Sequence, residues 1–574
     1  MIVRLLAPLL ALVLAACATV APVESPQIGR LDSAPVGEAG LVSAADPRAA
    51  AAGAAILRQG GSATDAAIAT MLALTVVEPQ SSGIGGGGFF VRADPQGRVE
   101  TIDGRETAPM AAGPQWFFVD GKPLSIGQAI PGGRSVGVPG NIRLAAEAHA
   151  ASGKLPWRAL FILAITLARD GFAITPRFHD MLDRHRRMAA LDPDGRALFY
   201  DAKGEPFAVG TVVRNPGLAQ TLENLAERGA DSFYVGPAAQ AVAAEVQTAP
   251  RNPAPMTAGD LAAYDAKPRE PVCGEYRGHR ICGMGPPSSG ATTVFAILKQ
   301  LERFDLGALG KDSPVAWHLI AESQRLAYAD RELYLADPDF VTVPVAGLTD
   351  PTYLAQRSAL ISSDRTLAKV EPGKPAGAPT GLGLGLAPVE HGTSHFVAVD
   401  RWGNVVSYTS TIESVFGSGL VVGGYYLNNE LTDLSIVPVR DGKPVANRVE
   451  GGKRPRSSMA PTLVFGPDGQ LKAALGAAGG ATIIVQVAKA IVGMIDWGLP
   501  AQQAIALPTL FSPEDTVYVE QGTALEAMIP ALRALGHRDV QEREPGFKAN
   551  AIERVGDRWR GAADPRSEGA AIAE

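Results

Sequence analysis

The stretch Gly373-Lys-Pro-Ala-Gly-Ala-Pro-Thr-Gly-Leu-Gly-Leu-Gly-Leu-Ala-Pro388, closing at His391-Gly392, runs straight into Thr393-Ser-His-Phe-Val-Ala-Val-Asp400. Glycine and proline at this density support neither a helix nor a strand, so the first part reads as an exposed, flexible linker. From Ser394 to Asp400 the chain is β-rich. Val405-Val-Ser-Tyr-Thr-Ser-Thr-Ile412 is a second such run, with Arg401-Trp-Gly-Asn404 as the turn between them. A linker feeding directly into a strand that begins with threonine is the layout a self-cleaving precursor needs. The Thr393 hydroxyl attacks the Gly392 carbonyl, which has no side chain to hinder approach, and the resulting ester hydrolyses. The threonine so released has a free α-amino group beside its own Oγ to act as base. Spacing alone does not separate this layout from an ordinary loop entering a strand.

Outward from this junction, helix and strand patterns alternate from about Gly40. Ser62-Ala63-Thr64-Asp65 has capping-box spacing and opens an apolar helix through Val77, which Glu78-Pro79 ends. Gly85 to Gly88 then precede Phe89-Phe90-Val91, a buried strand. No Gly-Lys-Ser/Thr follows, so the glycines read as close backbone packing and not as a phosphate loop. The middle of the chain is helix-rich, over Ala145–Ser152, Ala159–Arg169, Leu218–Arg228, Ala238–Thr248 and His318–Asp330. No internal repeat is evident.

A chain of 574 residues allows one large core or two domains. The formal charge of −7 implies no large basic surface, which argues against a nucleic-acid partner. Eight histidines and three cysteines without paired ligand spacing give no expectation of a metal. At the N-terminus Arg4 is followed by the apolar run Leu5 to Leu14, too short to span a bilayer, and then by Leu14-Ala15-Ala16-Cys17. This is similar to a bacterial lipoprotein signal, in which the cysteine is lipidated; ordinary secretion with cleavage nearby is the alternative. Either implies export. It places Cys273 and Cys282 in an oxidising compartment, on opposite sides of a turn at Arg277-Gly278. Counted from that turn they fall on a non-hydrogen-bonded cross-strand pair, about 4.5 Å apart at Cα, and a disulfide is expected.

Further motifs define a resemblance. Thr393 to Asp400, Gly403-Asn404, Phe416-Gly417, Leu427-Asn-Asn429, Lys453-Arg-Pro, Ser457-Ser458-Met459 and Gly479-Gly480 resemble the γ-glutamyltransferase (glutathione hydrolase) family. So do Asp103-Gly-Arg105-Glu106-Thr-Ala-Pro109, Gly137-Val-Pro-Gly140, Ala168-Arg-Asp-Gly171, Pro286-Pro-Ser-Ser-Gly290 and Tyr328-Ala-Asp-Arg331, in order, from about residue 40 to Asp564-Pro-Arg566. The resemblance implies an α+β, four-layer αββα N-terminal nucleophile hydrolase sandwich. A large subunit (residues 41–392) and a small one (393–574) share it, after a signal peptide (1–16) and a tether (17–40). It implies Thr393 as nucleophile, Thr411 as its hydrogen-bond partner, and the Gly479 and Gly480 N–H groups as oxyanion donors. The two glycines also precede the apolar helix Thr482–Trp497, whose N-terminus carries the positive dipole end. Arg105 would anchor a glutamyl α-carboxylate with help from Ser457 and Ser458, while Glu430 and Asp433 would take the α-amino group. No cofactor is needed, since the nucleophile carries its own base.

The sequence departs from the family at Thr411-Ile412-Glu413, where asparagine usually follows the second threonine. A carboxylate there can bind an ammonium, repel a carboxylate, or pair with Arg105. Leu434 to Glu450 also looks shorter than in enteric members and lacks their lid aromatic. The implied activity is hydrolysis or transfer of γ-glutamyl groups from glutathione-like donors to water or amino acids. It would belong to an exported enzyme lipid-anchored at Cys17 and facing the periplasm. A glutaryl- or cephalosporin-acylase-like enzyme is the alternative; a catalytically silent, peptide-binding envelope lipoprotein is one of another class.

Overall fold

The computed structural model describes residues 33–35, 39–385, 392–546 and 548–574. Arg4, the run Leu5 to Leu14, Cys17 and His391 lie outside them.

Two seven-stranded antiparallel sheets form the centre. The first runs in the order Ala570–Ala573, Leu41–Ala44, Ser394–Val399, Val405–Thr411, Gly87–Ala93, Val99–Gly104, Lys267–Arg269. The second runs Ser33–Pro35, Arg558–Ala563, Lys548–Val555, Leu471–Ala478, Thr462–Phe465, His279–Gly283, Val272–Tyr276. Both sheets draw strands from before and after Thr393, so a cut at Gly392 leaves neither half with a complete sheet.

Strand alternation explains the layering. Val397 and Val399 turn into a core shared with Leu463, Leu475 and Ala551 of the second sheet and with helices Gly290–Leu301, Pro314–Tyr334 and Thr482–Ile495. Phe396 and Ala398 turn the other way, onto a layer that includes helices Pro47–Arg58 and Ala63–Val77. Each of the valine, leucine and phenylalanine side chains, fully buried, contributes about 1.5–3 kcal/mol. The sheets meet closely: a Cβ on Gly476 would lie 2.4 Å from the His395 ring, and Ser407 Oγ donates to the Leu475 carbonyl across the gap. The result is the expected αββα sandwich.

Helix Ala63–Val77 has the capping box read from the sequence, with Ser62 N–H donating to Asp65 Oδ2 and Asp65 N–H to Ser62 Oγ. Ala63 N–H donates to Asp400 Oδ2, which ties the helix start to the turn after the Thr393 strand. Gly85 and Gly86 do pack backbone to backbone: a Cβ would stand 2.0 Å from the Tyr426 carbonyl oxygen and 1.9 Å from that of Thr411. Cys273 and Cys282 face each other in the ladder and are disulfide-bonded, with Cα atoms 4.1 Å apart. The turn between them uses positive φ at both Arg277 and Gly278, as a two-residue hairpin requires.

Some helix bounds and the linker need correction; helix Ala145–Ser152 begins at Asn141, and Thr482–Trp497 ends at Ile495. Helix His318–Asp330 is longer, Pro314–Tyr334, because Pro314 occupies the first turn where its missing N–H costs nothing. The stretch from Gly373 forms no helix or named strand over its described part, yet it is not an unattached linker. Gly373 N–H donates to Asp330 Oδ1 and its carbonyl accepts from Tyr334; Gly383 bridges to Val445; and Gly385 N–H donates to the Glu332 carbonyl. Leu434 to Glu450 contains a short hairpin, Val439–Arg440 with Lys443–Pro444.

Candidate active site

Thr393 stands one residue before the central strand Ser394–Val399 and is 3% exposed. Its Oγ1 donates to Thr411 Oγ1 at 3.2 Å, and that oxygen also accepts from Glu413 N–H at 2.8 Å. Gly392 N–H donates to the Glu413 carbonyl at 2.7 Å, and a Cβ on Gly392 would stand 2.2 Å from the same oxygen. Glycine is therefore required there by packing. Glu413 is held at φ 74°, a left-handed conformation that asparagine adopts more readily than glutamate and that costs about 1–3 kcal/mol.

Gly479 and Gly480 follow strand Leu471–Ala478 and precede helix Thr482–Ile495, with φ of 126° and 60°. Among the described residues neither N–H is taken up by a hydrogen bond. Lys548 pairs with Ala478 in the ladder and its Nζ reaches Ser394 Oγ at 3.2 Å, so the two glycines emerge at the Thr393 end of the sandwich.

The predicted head-group residues converge although they lie far apart in sequence. Arg105 is 1% exposed and ion-paired with both Glu430 and Asp433. Its Nε and Nη2 also donate to the carbonyls of Pro455 and Arg456, just before Ser457 and Ser458. Ser458 Oγ accepts from Arg331 Nη2 at 2.7 Å, and Ser457 Oγ accepts from Met459 N–H at 3.1 Å. Glu413 is held by Ser414 Oγ and Asn429 Nδ2. Burial, then the charges of Asp433 and Glu430, keep its carboxyl well above the usual carboxylate range. Burial does the same to Glu430 against the pull of Arg105.

Sequence reading did not single out Glu106, Glu78 or Lys548. Glu106 is fully buried 3.9 Å from Arg105, inside a motif already quoted, and burial pushes its carboxyl up to about 7. Because this folded-state pKa exceeds the unfolded value near 4.3, its stabilisation is complete below about pH 4.3 and is lost as pH rises through about 7. Glu106→Gln should remove that slope, about 3–4 kcal/mol, as read from thermal unfolding between those pH values. Glu78 and Lys548 form a buried ion pair, Nζ to Oε2 2.8 Å, whose lysine also bonds Ser81 and Ser394. Only tertiary contact reveals this pair.

The described residues hold one cluster of possible metal ligands, His318, Glu322 and His537, away from this site. Each member already has protein partners. His318 Nε2 bonds the Ser362 carbonyl, His318 Nδ1 and His537 Nε2 share a hydrogen bond at 2.7 Å, and Glu322 accepts from Arg325, Thr366 and the Leu367 N–H.

Two stacked antiparallel sheets between helix layers, with a threonine heading a central strand, define the N-terminal nucleophile hydrolase class. The sequence model of Gamma-glutamyltranspeptidase matches residues 49–574, and the chain belongs to this enzyme family. It is 36% identical over 557 residues to the Glutathione hydrolase proenzyme of Bacillus subtilis (strain 168), covering 94% of this chain and 92% of the relative. It is 34% identical over 547 residues to the Acylase ACY 1 proenzyme of Pseudomonas sp. (strain SE83), covering 94% of both. The crystal structure of cephalosporin acylase from Bacillus halodurans superposes with a TM-score of 0.83 at 27% identity, over 96% of this chain and 99% of that one.

Proposed function

We propose that the chain cuts itself between Gly392 and Thr393 and then cleaves γ-glutamyl amides such as glutathione through a γ-glutamyl-Thr393 ester. The acyl group passes to water or to the amine of an amino acid or peptide, in ping-pong order. The observation that supports this most is the Thr393 hydroxyl bonded to Thr411 at the head of a central strand, directly behind a glycine that packing requires. Thr411 fixes the direction of the hydroxyl, and the α-amino group freed by cleavage takes its proton. The Gly479 and Gly480 N–H groups receive the oxyanion, where one lost donor costs about 10²–10³ in kcat. An incoming α-carboxylate takes over Arg105 from its acid partners through two parallel bonds, aided by Ser457 and Ser458. Glu430 and Asp433 take the ammonium, with Glu413 beside them.

The subunits are residues 41–392 and 393–574. Arg4, Leu5 to Leu14 and Cys17 support export and a lipid anchor facing the periplasm; no described helix is long and apolar enough to cross a membrane.

Likeness to Acylase ACY 1 and to cephalosporin acylase favours one second reading, a glutaryl-type acylase. Steady-state kinetics on γ-glutamyl and glutaryl p-nitroanilide separate the two. The proposal expects kcat/KM on the γ-glutamyl donor to be at least about 100-fold higher, because a buried acid pair is left unmatched by glutaryl. Faster turnover of glutaryl replaces this reading with the acylase one.

A further inference from the structure

The head-group site is more acidic than recognition of a zwitterion requires. Glu430 and Asp433 engage the Arg105 guanidinium directly, and Glu106 lies 3.9 Å from it. Glu413 supplies a fourth carboxyl, joined through Asn429 to the same short segment as Glu430 and Asp433. All four are buried. Glu106 and Glu430 hydrogen-bond each other carboxyl to carboxyl, so these acids lean on one another and on one guanidinium for donors. An ammonium brings three N–H donors together with positive charge. A carboxylate meets the opposite situation. The Arg105 guanidinium is already shared by Glu430 and Asp433, and two further buried carboxyls crowd it.

We propose that the head-group site selects the ammonium of the acyl donor over its carboxylate, so that 4-aminobutanoyl amides are substrates, and that Glu413 sets this preference. This rests on the acyl-transfer reading above and names a donor class for it. A 4-aminobutanoyl amide is a γ-glutamyl amide without its α-carboxylate; a glutaryl amide is one without its ammonium. Glu413 is placed to discriminate because it touches both parts of the site. Its backbone binds Thr411 and Gly392, while its carboxyl binds Asn429. In the reaction Thr393 Oγ adds to the acyl carbon and its proton passes through the α-amino group to the departing amine. The C–N bond breaks, and water then cleaves the ester, releasing 4-aminobutanoate and restoring the hydroxyl.

The test measures kcat/KM of the purified, processed wild type and of Glu413→Asn on the p-nitroanilides of γ-glutamate, 4-aminobutanoate and glutarate. The wild type is expected to cleave the 4-aminobutanoyl donor within about tenfold of the γ-glutamyl donor, with glutaryl poorest. Glu413→Asn should lower the ratio of 4-aminobutanoyl to γ-glutamyl turnover by about tenfold or more. An unchanged ratio in the variant, or glutaryl ahead of 4-aminobutanoyl in the wild type, overturns the inference; the γ-glutamyl reading stands as long as the γ-glutamyl donor outpaces glutaryl. Failure of the wild type on all three anilides overturns both. Should Glu413→Asn not fold, competitive inhibition of the wild type decides. Stronger inhibition by 4-aminobutanoate than by glutarate supports the inference, and the reverse overturns it.

Discussion

Thr393→Ala is expected to stay a single uncut chain and to lose at least about 10³-fold in kcat/KM on a γ-glutamyl anilide. One hydroxyl is asked to perform two reactions, attack on the Gly392 carbonyl and later attack on the donor, so both vanish together. Thr393→Ser keeps a hydroxyl at the same place and should retain cleavage and turnover at reduced rates. Its serine lacks the methyl group that holds the rotamer, and so the bond to Thr411 is less well fixed. Denaturing electrophoresis and steady-state kinetics read the two effects separately. Turnover by the alanine variant at even a tenth of the wild-type rate would place the nucleophile elsewhere.

Lys548→Met should destabilise the protein by about 3–5 kcal/mol, because it leaves Glu78 charged and buried without its partner. Burial pushes the Glu78 carboxyl up, and Lys548 with Arg177 more than offsets this, so the group sits below its usual range and stays ionised. The pair spans the proposed cut: Glu78 lies before Thr393 and Lys548 after it, and both bind Ser394 next to the proposed nucleophile. A drop in the urea midpoint and a fall in kcat are therefore expected together. The double variant Lys548→Met with Glu78→Gln removes both charges and should recover most of the stability. A midpoint unchanged in Lys548→Met would mean that the pair contributes nothing.

Local features were the legible ones. The capping box at Ser62 and Asp65, the hairpin turn at Arg277-Gly278 and the strands on either side of the Arg401–Asn404 turn are each settled by neighbours a few residues away. Gly85 and Gly86 could be read as packing glycines because no phosphate-loop lysine follows, but the carbonyls they meet, Tyr426 and Thr411, come from the far half of the chain. The glycine-rich stretch misled because composition describes only what a segment can do by itself. Asp330, Tyr334 and Glu332, on one turn of a neighbouring helix, supply the partners that hold it. In the site, Arg105, Glu430 and Asp433 were named through the resemblance, and their contact across more than three hundred residues follows from the fold alone. Glu413 was visible as a departure, whereas its left-handed backbone and its place among four buried acids were not. Glu78 and Lys548, 470 residues apart, carried no sequence signal at all.

The proposed chemistry requires that one peptide bond be severed to liberate an amine beside a hydroxyl. N-terminal sequencing with intact mass of freshly purified wild-type protein tests it most directly. Two fragments are expected, the lighter beginning Thr393-Ser-His-Phe. A single chain with Gly392 still joined to Thr393, in material that turns over γ-glutamyl anilide, would contradict it.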